Sequence, residues 1–216
     1  MPAKSYESLD PIARALDRVG DRWTLLILRD LHAGPARFIE LSKGLTGIAS
    51  NLLTKRLAQL QEDGLIAQRE GAHGVTLYAL TERGEATAPV LDALAAFGAG
   101  FAPPESARAP GNLRSAAVIL RGALGRVAPR ALDLRVELRL DGEPFDVHLA
   151  YGAVRVSYQR ADAPEAVLEL GYEPMMALAD GALSAQTLRD EHAEVASGDA
   201  EAGQILLGLL VQALSP

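Results

Sequence analysis

Between Arg37 and Thr81 the chain runs RFIELSKGL, TGIA, SNLLTKRLAQLQEDG, LIAQRE, GAHG and VTLYALT, with no spare residue between one pattern and the next. The first and third segments have helical spacing, and the second is a short turn punctuated by Gly44 and Gly47. The last three make two alternating strands around a glycine-flanked tip. Few folds accept helix, tight turn, helix and hairpin in that order. In the second helix Leu53, Leu57 and Leu60 fall at helical spacing and predict one buried stripe, with Gly64 as the residue that ends the helix. The opposite face carries Asn51 and Lys55 near its centre and Thr54 and Gln59 at its flanks, and Ser50 is expected to be the N-cap.

A helix face that is short, polar and neutral or cationic toward its N-terminus suits entry into the major groove of a duplex. Asn and Lys can reach base edges there, and Ser and Thr can reach bases or phosphates. Taken alone, the same face is equally a plain amphipathic surface. The hairpin that follows shifts the balance, because a hairpin directly after a recognition helix is a wing. Arg69 on its first strand and His73 at its tip are candidates for phosphate or minor-groove contact, although solvent exposure without a partner explains His73 by itself. Arg37, Lys43, Lys55, Arg56 and Arg69 would supply the phosphate-binding charge.

The net charge of −7 first argues against a nucleic-acid partner, but its distribution weakens the objection. Residues 1–104 hold 11 Lys and Arg against 12 Asp and Glu, whereas residues 105–216 hold 10 against 16. The acidity therefore sits in the second half. The absence of Cys removes disulfides, thiolate zinc sites and cysteine nucleophiles together. The opening MPAKSYESLDP has no apolar core of signal-peptide length and no stretch is long and apolar enough to span a bilayer, so the expectation is a soluble, cytoplasmic protein with no membrane partner.

Upstream, Asp10 and Pro11 mark the start of a helix carrying Ile12, Leu16 and Val19, and the apolar block Trp23 to Leu31 is expected at the centre of the first domain. Downstream, Val90, Leu94, Phe97 and Phe101 make a stripe on a helix opening near Thr81. Together, GDRWTLLILRDL at 20–31, RFIELSKGLTGIASNLLTKRLAQLQEDGLI at 37–66 and YALTERG at 78–84 make residues 9–101 resemble the HxlR-type winged-helix regulators of bacteria. Members of that family usually carry a Cys ahead of the first helix, a Ser where this chain has Ala49, and Glu-Tyr where it has Leu77-Tyr78. The resemblance implies a transcriptional regulator that binds a pseudo-palindromic operator in double-stranded DNA as a homodimer, with the terminal helices as the interface. The two apolar stripes agree with that, and internal packing or packing on a second domain is the alternative.

Residues 102–111, APPESARAPG, read as a linker between a domain at 1–101 and one at 112–216. The second begins with a helical pattern at 112–128, continues with LDLRVELRL, FDVHLAY, AVRVSYQ and AVLELGY as an antiparallel sheet with one buried face, and ends in helices near 173–180 and 185–195 and in the apolar GQILLGLLVQAL. The fold class is α+β. This order, with EVASGD at 194–199 before the last helix, resembles the sterol-carrier-protein-type fold. That resemblance implies a tunnel for a small hydrophobic effector, with Val147, Leu149, Val154, Val156, Met175, Met176, Leu207 and Leu210 as candidate lining and ordinary core packing as the alternative. Tyr151 and Tyr158 read as sheet packing. Asp190, Glu191, His192 and Glu194 read as a charged helix face rather than a metal site, and no cofactor or catalytic motif is present. A second functional reading is a hydrophobic-ligand carrier whose winged helix serves protein contacts; a retained ligand without operator binding would mark it.

Overall fold

The computed structural model describes residues 5–101 and 112–215. They form two compact units, 1–115 and 116–216. The expected linker at 102–111 lies outside the described residues.

The first unit opens with α1 (Pro11–Val19), where the Asp10 carboxylate accepts from the amides of Ile12 and Ala13 and Pro11 occupies the first turn. Next come α2 (Thr24–His32), α3 (Phe38–Gly44) and α4 (Ser50–Glu62). The hairpin β1 (Ile66–Glu70) and β2 (Thr76–Leu80) pairs Ile66 with Leu80 and Glu70 with Thr76, and Ala36 bridges to Tyr78 from the other side. The short α5 (Glu82–Glu85) and α6 (Ala88–Gly98) complete this part. Ile27, Leu28, Leu41, Leu53, Leu57 and Leu60 are wholly buried and make its core.

Three local features depart from the sequence reading. Ala49 is the N-cap of α4 and offers no side-chain acceptor, so Ser50 is its first helical residue rather than its cap. The single helix expected from Thr81 is divided into α5 and α6. The Thr81 hydroxyl accepts from the Gly84 amide, and a Cβ on Gly84 would lie 2.0 Å from the Leu65 carbonyl oxygen, so this turn is pressed against the start of the wing. Finally, α7 (Arg114–Val127) begins inside the first unit, and the boundary falls between Ser115 and Ala116.

In the second unit the strands are β3 (Asp133–Leu140), β4 (Glu143–Ala150), β5 (Ala153–Ser157), β6 (Ala166–Leu170) and β7 (Ala193–Gly198), in the order β5-β4-β3-β6-β7. The helices α8 (Tyr172–Ala179), α9 (Ala185–Glu191) and α10 (Ala200–Leu214) accompany them, and α10 packs on β3, β6 and β7. The sheet is not wholly antiparallel as expected. After β5 the chain returns through residues 158–165, where the Ala161 amide donates to Glu137, and β6 then runs parallel to β3. The helix expected over 185–195 stops at Glu191, and Ala193–Gly198 pairs with β6 instead. Gly203 of α10 leaves the space for this strand, since a Cβ there would lie 2.5 Å from Val195 Cγ2.

Candidate nucleic-acid interface

Helix α4 has two unlike faces. Its leucines are buried, while Ser50, Asn51, Thr54 and Lys55 are exposed on the other side and the expected flank residue Gln59 is half-buried. Among the exposed four, the Thr54 hydroxyl donates to the Ser50 carbonyl, and Asn51 Oδ1 accepts from the Leu52 amide, which leaves the Asn51 amide group to donate outward. At the far end, Gly64 adopts φ +68 and the Leu65 and Gly64 amides return to the carbonyls of Leu60 and Gln61. The result is a Schellman closure that leads straight into the wing.

Charged contacts fix the helix from behind. Arg18 Nη1 lies 2.9 Å from Asp63 Oδ1, and Arg83 donates to the Asp63 carbonyl. Arg56 faces inward: its Nε lies 3.2 Å from Asp21 Oδ1 and its Nη1 donates to Gln59. Asp21 in turn accepts from the Trp23 and Thr24 amides at the start of α2.

The remaining predicted residues lie on the surface. Lys43 is exposed near the end of α3, Arg69 on β1, and His73 at the wing tip, where φ +58 turns the chain between the strands. Arg37 is exposed but engaged, because Glu40 accepts from its amide and, at 2.8 and 3.0 Å, from its guanidinium. Burial would raise the Glu40 carboxyl, but the Arg37 amide and guanidinium, helped by Arg114, outweigh it and hold Glu40 below the usual glutamate range. Trp23 is half-buried rather than central, and its ring carries the guanidinium of the exposed Arg22 at 5.3 Å from the centroid. Nothing in the sequence marks Arg22, since a stack on the next side chain has no signature in periodicity.

Residues 18–106 match the model of the HxlR-like helix-turn-helix family. An uncharacterized HTH-type transcriptional regulator of Methanothermobacter thermautotrophicus is 36% identical over 95 residues, which is 43% of this chain and 72% of the relative. The chain belongs to the HxlR-like helix-turn-helix family. A second relative, an uncharacterized HTH-type transcriptional regulator of Synechocystis, is 34% identical over 44% of this chain and 73% of its own length. The reduced form of the transcriptional regulator YodB from Bacillus subtilis is 27% identical, with a TM-score of 0.39 over 46% of this chain and all of that one. The two curated relatives are HTH-type transcriptional regulators, and with its HxlR-like helix-turn-helix this chain is a DNA-binding regulator rather than an enzyme.

The residues named as tunnel lining in the second unit are packed. Val147, Leu149, Val156, Met175, Leu207 and Leu210 are at most 3% exposed, and Val154 and Met176 are half-buried. A groove of about 630 Å³ opens elsewhere, between the β3–β4 turn, the start of α8 and the α9–β7 junction. Its lining includes the ionisable side chains of Arg139, Asp141, Glu169, Asp190, Glu191, His192 and Glu194 and none of the eight apolar residues. Asp190 and Glu191 end α9, whereas Glu194 lies on β7, so the four charged residues read as one helix face are divided between two elements. Among the described residues no group of three His, Asp or Glu is placed to hold a metal ion. Tyr158 packs edge-to-face on Phe145, but Tyr151 is 79% exposed at the β4–β5 turn, where φ +51 is the left-handed backbone conformation that a tight two-residue hairpin turn demands. No helix of the described residues is long and apolar enough to cross a membrane.

Proposed function

We propose that this regulator binds a pseudo-palindromic operator as a homodimer, with α4 in the major groove and the hairpin beside the minor groove. The observation that carries the reading is the exposure of Ser50, Asn51, Thr54 and Lys55 on a helix whose other side is anchored in the core. Lys43, Arg69 and His73 serve the phosphate backbone, and Arg37 joins them by exchanging the Glu40 carboxylate for a phosphate. The homodimer is supported by surface that a lone copy leaves wet. No residue of α1 is buried although the helix is strongly amphipathic, and Leu9, Ile12 and Leu16 are exposed. On α6 and just beyond it Val90, Leu94, Phe97 and Phe101 are exposed as well. A small apolar effector acting through the second unit would enter by displacing side chains that are now buried, and native mass spectrometry would reveal it as retained mass.

The test is selection of bound fragments from random DNA, followed by titration of the recovered sequence at several salt concentrations. Lys55→Ala should weaken binding to all sequences and reduce the slope of log K against log salt by about 0.9, the value for one phosphate contact in B-DNA. Asn51→Ala should instead relax preference at one base position by about 1–3 kcal/mol. Undiminished binding in both variants would remove α4 from the interface.

A further inference from the structure

Two arginines adjoin Asp21, Arg56 in space and Arg22 in sequence, and they point to different tasks. Arg56 belongs to α4 and is about a quarter exposed, with its Nε 3.2 Å from Asp21 Oδ1 and its Nη1 3.1 Å from Gln59 Oε1. The same Asp21 carboxylate orders the first turn of α2 through the amides of Trp23 and Thr24 and the Thr24 hydroxyl. Arg56 is therefore a tie between the recognition helix and the start of α2. Arg22, next in the chain, is exposed, and among the described residues no carboxylate lies within ion-pair distance of it. Its guanidinium stacks on Trp23, and the far edge of that ring, Cη2, lies 4.0 Å from where Gly47 would carry a Cβ. Gly47, at φ +93, shapes the turn from which α4 starts. The indole thus holds a cation that has no ion pair among the described residues, on the ring whose far edge reaches the turn before α4, with the guanidinium edge left for an anion.

Resting on the DNA-binding reading above, we propose that Arg22 supplies the phosphate contact beside the recognition helix, and that Arg56 is a positioning residue that sets the angle at which α4 meets the groove. A guanidinium stacked on an aromatic ring loses little freedom on meeting a phosphate and can offer it two parallel N–H donors. A guanidinium already shared between Asp21 and Gln59 would have to give up those partners first.

The two roles separate in salt dependence and in sequence preference. Full-length protein is titrated with the selected duplex at several salt concentrations, and the selection from random DNA is repeated for each variant. Arg22→Gln should reduce the salt slope by about 0.9 and return the same consensus, and Arg22→Lys should restore the slope. Arg56→Gln should weaken binding about tenfold, equivalent to about 1.4 kcal/mol, with the slope unchanged and the consensus blurred at the positions Asn51→Ala relaxes. Asp21→Asn should do the same, and the double variant should be no worse than either single one. A slope unchanged in Arg22→Gln, or lowered in Arg56→Gln, overturns the assignment while Lys55→Ala still weakens binding. Full binding by Lys55→Ala, Asn51→Ala and all of these variants would defeat the DNA-binding reading itself.

Discussion

Asp30 shows how one residue sets a pH dependence for the first unit. It sits near the end of α2 with no exposed surface, accepts from the Arg29 guanidinium through Oδ1, and has no donor for Oδ2 among the described residues. Loss of water raises its carboxyl above the ordinary aspartate range, and the charges of Arg29 and Arg114 only partly oppose this. Between about pH 4 and that raised value the unfolded chain has released a proton that the folded chain keeps, so stability falls as pH rises through the window. Asp30→Asn cannot ionise. Its melting temperature should gain on the parent as pH goes from 4 to 7, whatever constant penalty the lost pairing with Arg29 adds. A gap that stays flat, or closes, would show that the carboxylate is better solvated than its burial indicates.

At the scale of elements, the parts whose partners are close in sequence were the legible ones. Asp10 and Pro11 announced α1, the leucine stripe placed α4, and the glycine-flanked tip placed the wing. Strand β7 escaped because AEVASG alternates weakly and its ladder partner, β6, lies more than twenty residues upstream, beyond two helices. The parallel pairing of β3 with β6 escaped for the same reason: direction is set by where residues 158–165 bring the chain back. The closeness of β7 and α10 predicts that Gly203→Ala destabilises the second unit by about 1–3 kcal/mol, as overpacking does. Val195→Ala should recover part of that loss in the double variant, and chemical denaturation of the three proteins would reveal any additivity that contradicts the contact. At the other helix end, Gly64→Ala forces a Cβ into φ +68 with open space around it, so the cost should be backbone strain alone, about 1 kcal/mol. Of the site itself, the exposed face of α4 could be read from periodicity, but the inward turn of Arg56 could not, because Asp21 meets it only after folding.

For the whole molecule, the wet apolar stripes on α1 and α6 set the expected assembly. Phe97 stacks edge-on against Phe101 with a centroid separation of 5.1 Å, and both are more than half exposed, so a charge here costs little in a lone copy. Phe97→Glu should leave melting of the isolated fold nearly unchanged while shifting light-scattering mass from dimer to monomer. Operator affinity should fall by more than tenfold as the second half-site contact is lost. Equal masses for variant and parent would place the dimer contact elsewhere. The reach of Arg114 adds a second whole-molecule consequence. It is 4% exposed, and its guanidinium donates to the carbonyls of Asp30, Gly34 and Pro35, while Asn112 donates to the Glu40 carbonyl. Those two residues follow the proline-rich stretch yet cap the turn that leads into α3. A winged helix severed at residue 111 would expose four carbonyls that had been satisfied and would lose part of the positive charge that offsets Asp30. Any exchange of the second unit for another therefore has to leave residues 112–115 behind, so the seam along which this regulator can be recombined lies four residues later than its prolines suggest.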